Sequence, residues 1–273
     1  MPELPEVETV VRTIRPALVG RRIESMWYDW VNTIYTPSAE QFARRIHGQS
    51  VQNVRRRAKY IVCELDHDLF VVHLKMTGRL YVSAQGQTNS DDKWVHFRLG
   101  LDNGEQLLFS DSRKFGKVYL VSDFDEINPN IGPEPLEDAF TVEQFIERLS
   151  GRKQAIKPLL LDQSFIAGVG NIYADEALLR AGIHPLRRAD TLTTDEKAKL
   201  YQTVRDSLNA GIQHEGASIN WYRKPDGSKG DSQNHFYAYG RTDQPCLICG
   251  TPIRKIRVAQ RGTHFCPVCQ MEG

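Results

Sequence analysis

Asn128-Pro129-Asn130-Ile131-Gly132-Pro133-Glu134-Pro135 separates two stretches of chain with different hydrophobic rhythms. Its prolines, glycine and asparagines interrupt both sheet and helix patterns, so this segment predicts the linker between domains. Upstream, short apolar runs follow one another at Lys59 to Leu65, Leu69 to Met76, Arg79 to Val82, Val95 to Leu101, Gln106 to Ser110 and Val118 to Val121. Asp102-Asn103-Gly104 is a hairpin signal between two of them. Strands of this length joined by tight turns predict a β-sandwich or barrel-like layer. Downstream, Thr141 to Leu149, Asn171 to Ala181 and Thr194 to Ile212 carry helical periodicity. Thr193 with Glu196 predicts a capping box, and Gly182 closes the second helix before His184-Pro185. The expected class is α+β.

Ahead of the strands, Val7, Val10, Val11, Ile14 and Leu18 recur at helical spacing, so an amphipathic helix is expected to hold the N-terminus on a core. That gives chemical interest to Met1-Pro2-Glu3-Leu4-Pro5-Glu6. Without Met1, the ring nitrogen of Pro2 is a free secondary amine, able to attack a sugar or carbonyl carbon and form an iminium ion. Glu3 beside it could carry the proton transfers. An α-amino group titrates near pH ~8 against ~10.4 for lysine, which leaves more of it unprotonated at neutral pH. The same prolines also suit a helix entry and nothing more, and the hexapeptide alone does not decide.

The chain has 273 residues, 40% hydrophobic and 25% charged, enough for one large domain or two ordinary ones. It has no apolar run of about 18 residues and no basic-then-apolar leader, so a cytoplasmic location and no membrane partner are expected. The net charge of +1 does not announce a polyanion, but its distribution permits one. Arg44 to Lys59 holds six basic residues and no acidic one, and Arg241 to Gly273 holds five against two.

Four of the five cysteines form Cys246-Leu-Ile-Cys249 and Cys266-Pro-Val-Cys269, separated by 16 residues. This spacing predicts one four-thiolate zinc site carried on a hairpin, structural because no coordination position is left open. A pair of disulfides is the alternative, disfavoured in a cytosolic setting. Cys63, alone in Tyr60-Ile-Val-Cys-Glu-Leu65, reads as core.

Other candidates depend on context. Gly168-Val-Gly170 before Asn171 suits either a phosphate at a helix start or a plain turn. Arg261-Gly262-Thr263, in the return of the cysteine hairpin, could aim an arginine at a phosphate or make a β-turn. Lys59 enters a strand after Arg55-Arg56-Arg57-Ala58, and Lys157 precedes Pro158. Met76, after His73-Leu-Lys75, and Arg113 with Phe115 on the turn Asp111 to Gly116 combine apolar wedges with a basic residue, the type of group that fills a gap in stacked bases.

Taken together these residues resemble bacterial formamidopyrimidine-DNA glycosylase across essentially the whole chain. The resemblance rests on residues 2–8, Arg56-Arg-Ala-Lys-Tyr60, His73-Leu-Lys-Met-Thr-Gly78, Arg113-Lys-Phe-Gly116, Gly170-Asn-Ile-Tyr-Ala174 and the terminal cysteines. It implies a β-sandwich domain with flanking helices over 1–130, a helix-two-turn-helix domain over 131–239 and a zinc-finger hairpin over 240–273. It further implies action on double-stranded DNA that contains oxidised purines or abasic sites, with the damaged nucleotide extruded from the stack; a self-contained core and cleft make a monomer the expectation. By resemblance Pro2 attacks C1′ and forms a Schiff base, Glu3 is the acid for sugar-ring opening, Lys59 serves β-elimination and Arg261 δ-elimination. Lys59, Asn171 and Arg261 grip phosphates, Arg152 and Lys157 lie near the DNA or extruded base, and Glu6 lies near the base. Met76, Arg113 and Phe115 fill the vacated space, and residues 217–232 fold over the base. Where the family carries a His-X-His pair this chain reads Trp94-Val95-His96, so by resemblance His96 and Trp94 fall in the DNA-binding set, with a tryptophan, which offers no charged donor to a phosphate, in place of the first histidine. Endonuclease VIII shares the fold and terminal proline but normally has glycine where Leu4 stands. A zinc-finger DNA-binding protein without catalysis is the rival from another class, and it predicts no covalent intermediate.

Overall fold

The computed structural model describes residues 1–83, 92–219 and 221–272. Two compact units emerge, Met1–Pro129 with Glu215–Gly230, and Asn130–His214 with Asp231–Gly273. The chain passes from the first to the second at Pro129–Asn130, inside the proline-rich stretch, and it returns to the first unit for residues 215–230.

The first unit begins with α1 (Leu4–Leu18), whose Val7, Val10, Val11, Ile14 and Leu18 are all buried, as the periodicity predicts. Then come β1 (Ile23–Tyr28), β2 (Ile34–Thr36), α2 (Ala39–Ile46), β3 (Val51–Arg57), β4 (Tyr60–Leu65), β5 (Leu69–His73), β6 (Gly78–Ser83), β7 (Val95–Leu101), β8 (Gln106–Asp111) and β9 (Lys117–Val121). They form a four-stranded sheet, β1-β7-β8-β6, and a five-stranded sheet, β2-β9-β5-β4-β3. All pairings are antiparallel except β2 with β9. Phe70 of β5 stacks on Phe97 of β7, with centroids 5.8 Å apart, and Phe42 of α2 meets both rings edge-on. One aromatic cluster thus joins both sheets and a helix, the packing of a sandwich.

One expected strand is too long. Leu69 to Met76 stops at His73, because Lys75 adopts φ +52° and turns the chain, releasing Met76 onto the surface. The Asp102-Asn103-Gly104 turn joins β7 to β8, with Gly104 at φ +82°.

The second unit holds α3 (Val142–Leu149), α4 (Ile156–Leu161), α5 (Asn171–Ala181), α6 (Thr194–Gln213) and the hairpin β10 (Arg254–Val258) and β11 (Arg261–Phe265). The Thr193 hydroxyl accepts from the Glu196 amide at 3.2 Å, and the Glu196 carboxylate accepts from the Thr193 amide at 2.8 Å, completing the expected capping box. Gly182 caps α5 in the left-handed conformation.

His73 ends β5 in the interior of the first unit. Its Nδ1 accepts the Lys75 amide at 3.0 Å, and its ring meets Tyr60 edge-on at 4.6 Å. Burial, reinforced by the charges of Lys75 and Lys59, pulls its pKa down to about 3. The unfolded chain takes up a proton below pH ~6.5 that the fold refuses, so this contribution to stability is complete above that pH and is lost as pH falls. Denaturant titrations should show about 2 kcal/mol lost between pH 7 and pH 5 through this residue. In His73→Gln that part of the slope should vanish.

Candidate nucleic-acid interface and reactive terminus

Pro2, Glu3 and Glu6 are all buried at the start of α1. One oxygen of the Glu6 carboxylate accepts the Glu3 amide at 2.7 Å, and the other accepts the Ala217 amide at 2.8 Å. The Tyr222 hydroxyl donates to the Glu6 carbonyl at 3.4 Å. Burial and the neighbouring Glu6 carboxylate push the Tyr222 pKa up, so this phenol stays a protonated donor. Gly216 makes the approach possible. It sits at φ +81°, and a Cβ there would lie 2.9 Å from Glu6 Cγ and 3.0 Å from the Tyr222 ring. Of the expected 217–232 segment, Ala217 and Tyr222 pack on the N-terminus; Asn220 lies outside the described residues.

Lys59 occupies the two-residue turn between β3 and β4, beside Ala58 at φ +51°, and is 6% exposed. Arg56 braces this turn, donating to the Ala58 carbonyl at 3.1 Å while pairing with Glu8 of α1 at 3.3 Å.

Met76, Arg113 and Phe115 come together through a residue the sequence reading passed over. Asp111, 2% exposed, accepts the Thr77 hydroxyl, the Arg113 amide at 3.2 Å and the Gly116 amide at 2.6 Å. It ties the turn carrying Met76 to the turn carrying Arg113 and Phe115. Gly116 is required there, since a Cβ would overlap the Phe109 ring. Met76 and Phe115 stand 39% and 48% exposed, and the Arg113 guanidinium lies 4.6 Å from the Phe115 ring centroid. Exposed apolar side chains fixed this firmly are available to a partner.

Trp94 is also exposed, on a turn pinned by Asp92, and shares an open groove of about 370 Å³ with Arg79, Trp221 and Arg223. His96 behaves differently. It is 4% exposed, its Nδ1 meets Asp29 at 2.7 Å, and its buried Nε2 has no hydrogen-bond partner.

In the second unit, Asn171 is the first residue of α5, and its Nδ2 donates to the Gly262 carbonyl at 3.0 Å. Arg261 opens β11 and is exposed; the turn lies one step earlier, at Ala259 and Gln260, both with positive φ. Arg152 is exposed. Lys157, expected near the DNA or the extruded base, lies in the interior of the second unit. It is 0% exposed, its ammonium paired with Asp175 at 2.6 Å and donating to the Thr263 hydroxyl at 2.7 Å. Through the Thr263 contact it holds the strand that carries Arg261. The other Asp175 oxygen accepts the His264 amide at 2.9 Å. Next along α5, Glu176 accepts the amides of Tyr237, Ala238 and Tyr239 at 2.8, 2.9 and 2.9 Å. Burial raises its pKa against those donors.

The four terminal cysteines offer sulfurs within 4.8 Å of one another. The Cys249–Cys266 and Cys246–Cys269 separations, 3.4 and 4.0 Å, bracket the ~3.8 Å edge of a tetrahedron with 2.3 Å zinc–sulfur bonds. The Ile248 and Cys269 amides each point at a sulfur at 3.4 Å, which suits thiolates. The set fits one structural zinc ion. Gln270, also unforeseen, ties this end to the helices, accepting the Cys266 amide and donating to the Ile183 carbonyl, both at 2.8 Å.

Comparison with known proteins finds relatives along the whole chain. Family models match in chain order: the formamidopyrimidine-DNA glycosylase N-terminal domain over residues 1–118, its H2TH domain over 131–223, and the zinc finger found in FPG and IleRS over 243–270. A formamidopyrimidine-DNA glycosylase of Herpetosiphon aurantiacus is 49% identical, covering 99% of this chain and 100% of the relative. The crystal structure of a Lactococcus lactis FPG mutant with Fapy-dG-containing DNA superposes with a TM-score of 0.91 at 38% identity, covering 99% of this chain and 100% of that one. The L. lactis Fpg complex with abasic-site DNA gives 0.90 at 38% identity and the same coverage.

The buried pair in the second unit makes a direct prediction. Lys157→Ala strands the Asp175 carboxylate and should destabilise the unit by about 3–5 kcal/mol, read as a lowered thermal midpoint with zinc still bound.

Proposed function

This chain belongs to the formamidopyrimidine-DNA glycosylase family, and from that membership we infer how its own residues carry the chemistry. It is a base-excision repair enzyme, a DNA glycosylase with abasic-site lyase activity that acts on oxidised purines. The observation that carries the residue assignments is the Glu6 carboxylate, which fixes Glu3 and hence the position of Pro2 by a hydrogen bond of 2.7 Å. In this reading Met1 is removed and the Pro2 nitrogen attacks C1′ of the damaged nucleoside. The glycosidic bond breaks and the base leaves with its electron pair. Glu3 donates the proton that opens the sugar ring, giving the iminium. Lys59 then serves β-elimination and Arg261 δ-elimination, leaving a one-nucleotide gap bounded by phosphates.

Asn171, Arg261, Lys59 and the exposed Arg152 are the proposed phosphate contacts. Lys157 acts as a positioning residue behind Arg261. Met76, Arg113 and Phe115 enter the space left by the extruded nucleotide, with Arg113 toward the orphaned base. Trp94 lends a flat apolar surface to the DNA where the family has a charged donor, and His96, held by Asp29, is the proposed DNA-binding residue beside it. Zinc, held by Cys246, Cys249, Cys266 and Cys269, crosslinks the hairpin that carries Arg261. The working division is a catalytic part over 1–130, a helix-two-turn-helix part over 131–239 and a finger over 240–273. The substrate is duplex DNA with formamidopyrimidine, 8-oxoguanine or abasic lesions, and one chain supplies every proposed group, so a monomer suffices. No helix among the described residues is long and apolar enough to cross a membrane, and the proposed location is the cytoplasm, where bacterial DNA lies.

Incubation with duplex DNA holding one 8-oxoguanine opposite cytosine, followed by borohydride, should trap a covalent protein–DNA complex. A form retaining Met1 has only an amide nitrogen at Pro2 and should trap none. Glu3→Gln should lower excision by about 10²–10⁴-fold while leaving duplex affinity near wild type. A trapped complex of equal yield from the Met1-retaining form would overturn the assignment of Pro2. Asp111→Ala should splay the turns of Met76 and Phe115, weakening binding to lesion duplex by about tenfold in fluorescence anisotropy and costing about 1–3 kcal/mol of stability through the stranded Thr77, Arg113 and Gly116 donors.

A further inference from the structure

His214, Asp231 and His235 form a cluster that takes no part in the chemistry proposed above and lies wholly within the second unit. Each offers one ligand atom, and the three atoms lie within 4.8 Å of one another. The two imidazole rings lie flat against each other, with centroids 3.6 Å and planes 12° apart. Nε2 of His235 meets one oxygen of Asp231 at 2.8 Å, and the Asn234 side chain donates to the other at 2.6 Å. The backbone brings the three together: His214 caps α6, and its carbonyl accepts the Asp231 amide at 2.8 Å. The rings also wall a cavity of about 20 Å³, room for a water, where Ser207 Oγ and Arg180 Nε are buried without hydrogen-bond partners.

We propose that His214, Asp231 and His235 form a second metal site, taking a divalent ion of the zinc and nickel class, with water completing its coordination. Two imidazoles and a carboxylate suit these ions, whereas calcium and magnesium call for oxygen ligands. Metal–nitrogen bonds of about 2.0–2.1 Å set tetrahedral ligands about 3.4 Å apart, which rotations of the exposed Asp231 and His235 side chains toward the half-buried His214 reach. The location gives the site a purpose. The chain leaves the second unit after His214 and returns to it at Asp231, having supplied residues 215–230 to the first. A metal here fastens the two ends of the segment whose Ala217 amide holds Glu6. The inference stands apart from the repair chemistry and does not require it.

The test is calorimetric titration of the zinc-loaded protein with Ni²⁺, with free zinc followed by a chromophoric chelator. One further equivalent should bind without zinc release, and its Kd should rise about tenfold or more in His214→Ala and in His235→Ala. Ni²⁺ should also slow amide hydrogen exchange at residues 231–235 in the wild type and not in the double variant. No further equivalent, release of one zinc per nickel bound, or unchanged affinity in the double variant would each overturn the site. Binding without any slowing of exchange would overturn its role as a fastener.

Discussion

The Glu6 carboxylate is the constraint on which the N-terminal chemistry depends. A buried carboxylate is costly unless hydrogen-bonded, and both of its oxygens are engaged by backbone amides, one from Glu3 and one from Ala217. The first fixes the entry to α1, so that the residue beside the ring of the proposed nucleophile has one position. The second brings a segment two hundred residues away onto the same carboxylate. Gly216 is the steric condition for this, because any side chain there would collide with Glu6 and Tyr222.

The second unit solves a like problem with charges in its interior. Asp175 and Glu176, adjacent on α5, reach different neighbours: Asp175 holds Lys157 and His264, and Glu176 holds three successive amides at 237–239. The strand carrying Arg261 and the approach to the zinc hairpin are thereby tied to one helix. Such pairs add little net stability compared with apolar packing, but they tolerate only one arrangement, which is what an exposed arginine needs in order to point in a defined direction.

Much of this was legible in the sequence, for identifiable reasons. α1, α5 and α6 carry periodic apolar faces or explicit caps, and β7 was read to the residue. β1 was missed because only Ile23 of its six residues is buried, so it shows no alternation. β3 ends in three arginines, which read as a charged patch. α2 is short and buries only Phe42 and Ile46. Among site residues, the cysteines and the terminal proline declare themselves by spacing and position. Asp111, Asp175, Glu176 and Gln270 do not, since a polar residue in sequence looks solvated until the fold closes around it. Nor does anything local in the sequence tell that Lys157 is buried against Asp175.

The return of residues 215–230 to the first unit bears on the order in which the molecule is made. Glu6 waits for an amide 211 positions further along the chain. At about 5–20 residues per second, that is roughly 10–40 s of synthesis. Throughout that interval the start of α1 lacks its covering segment. Removal of Met1, itself 49% exposed in the finished fold, can thus precede the contact that makes the terminus rigid.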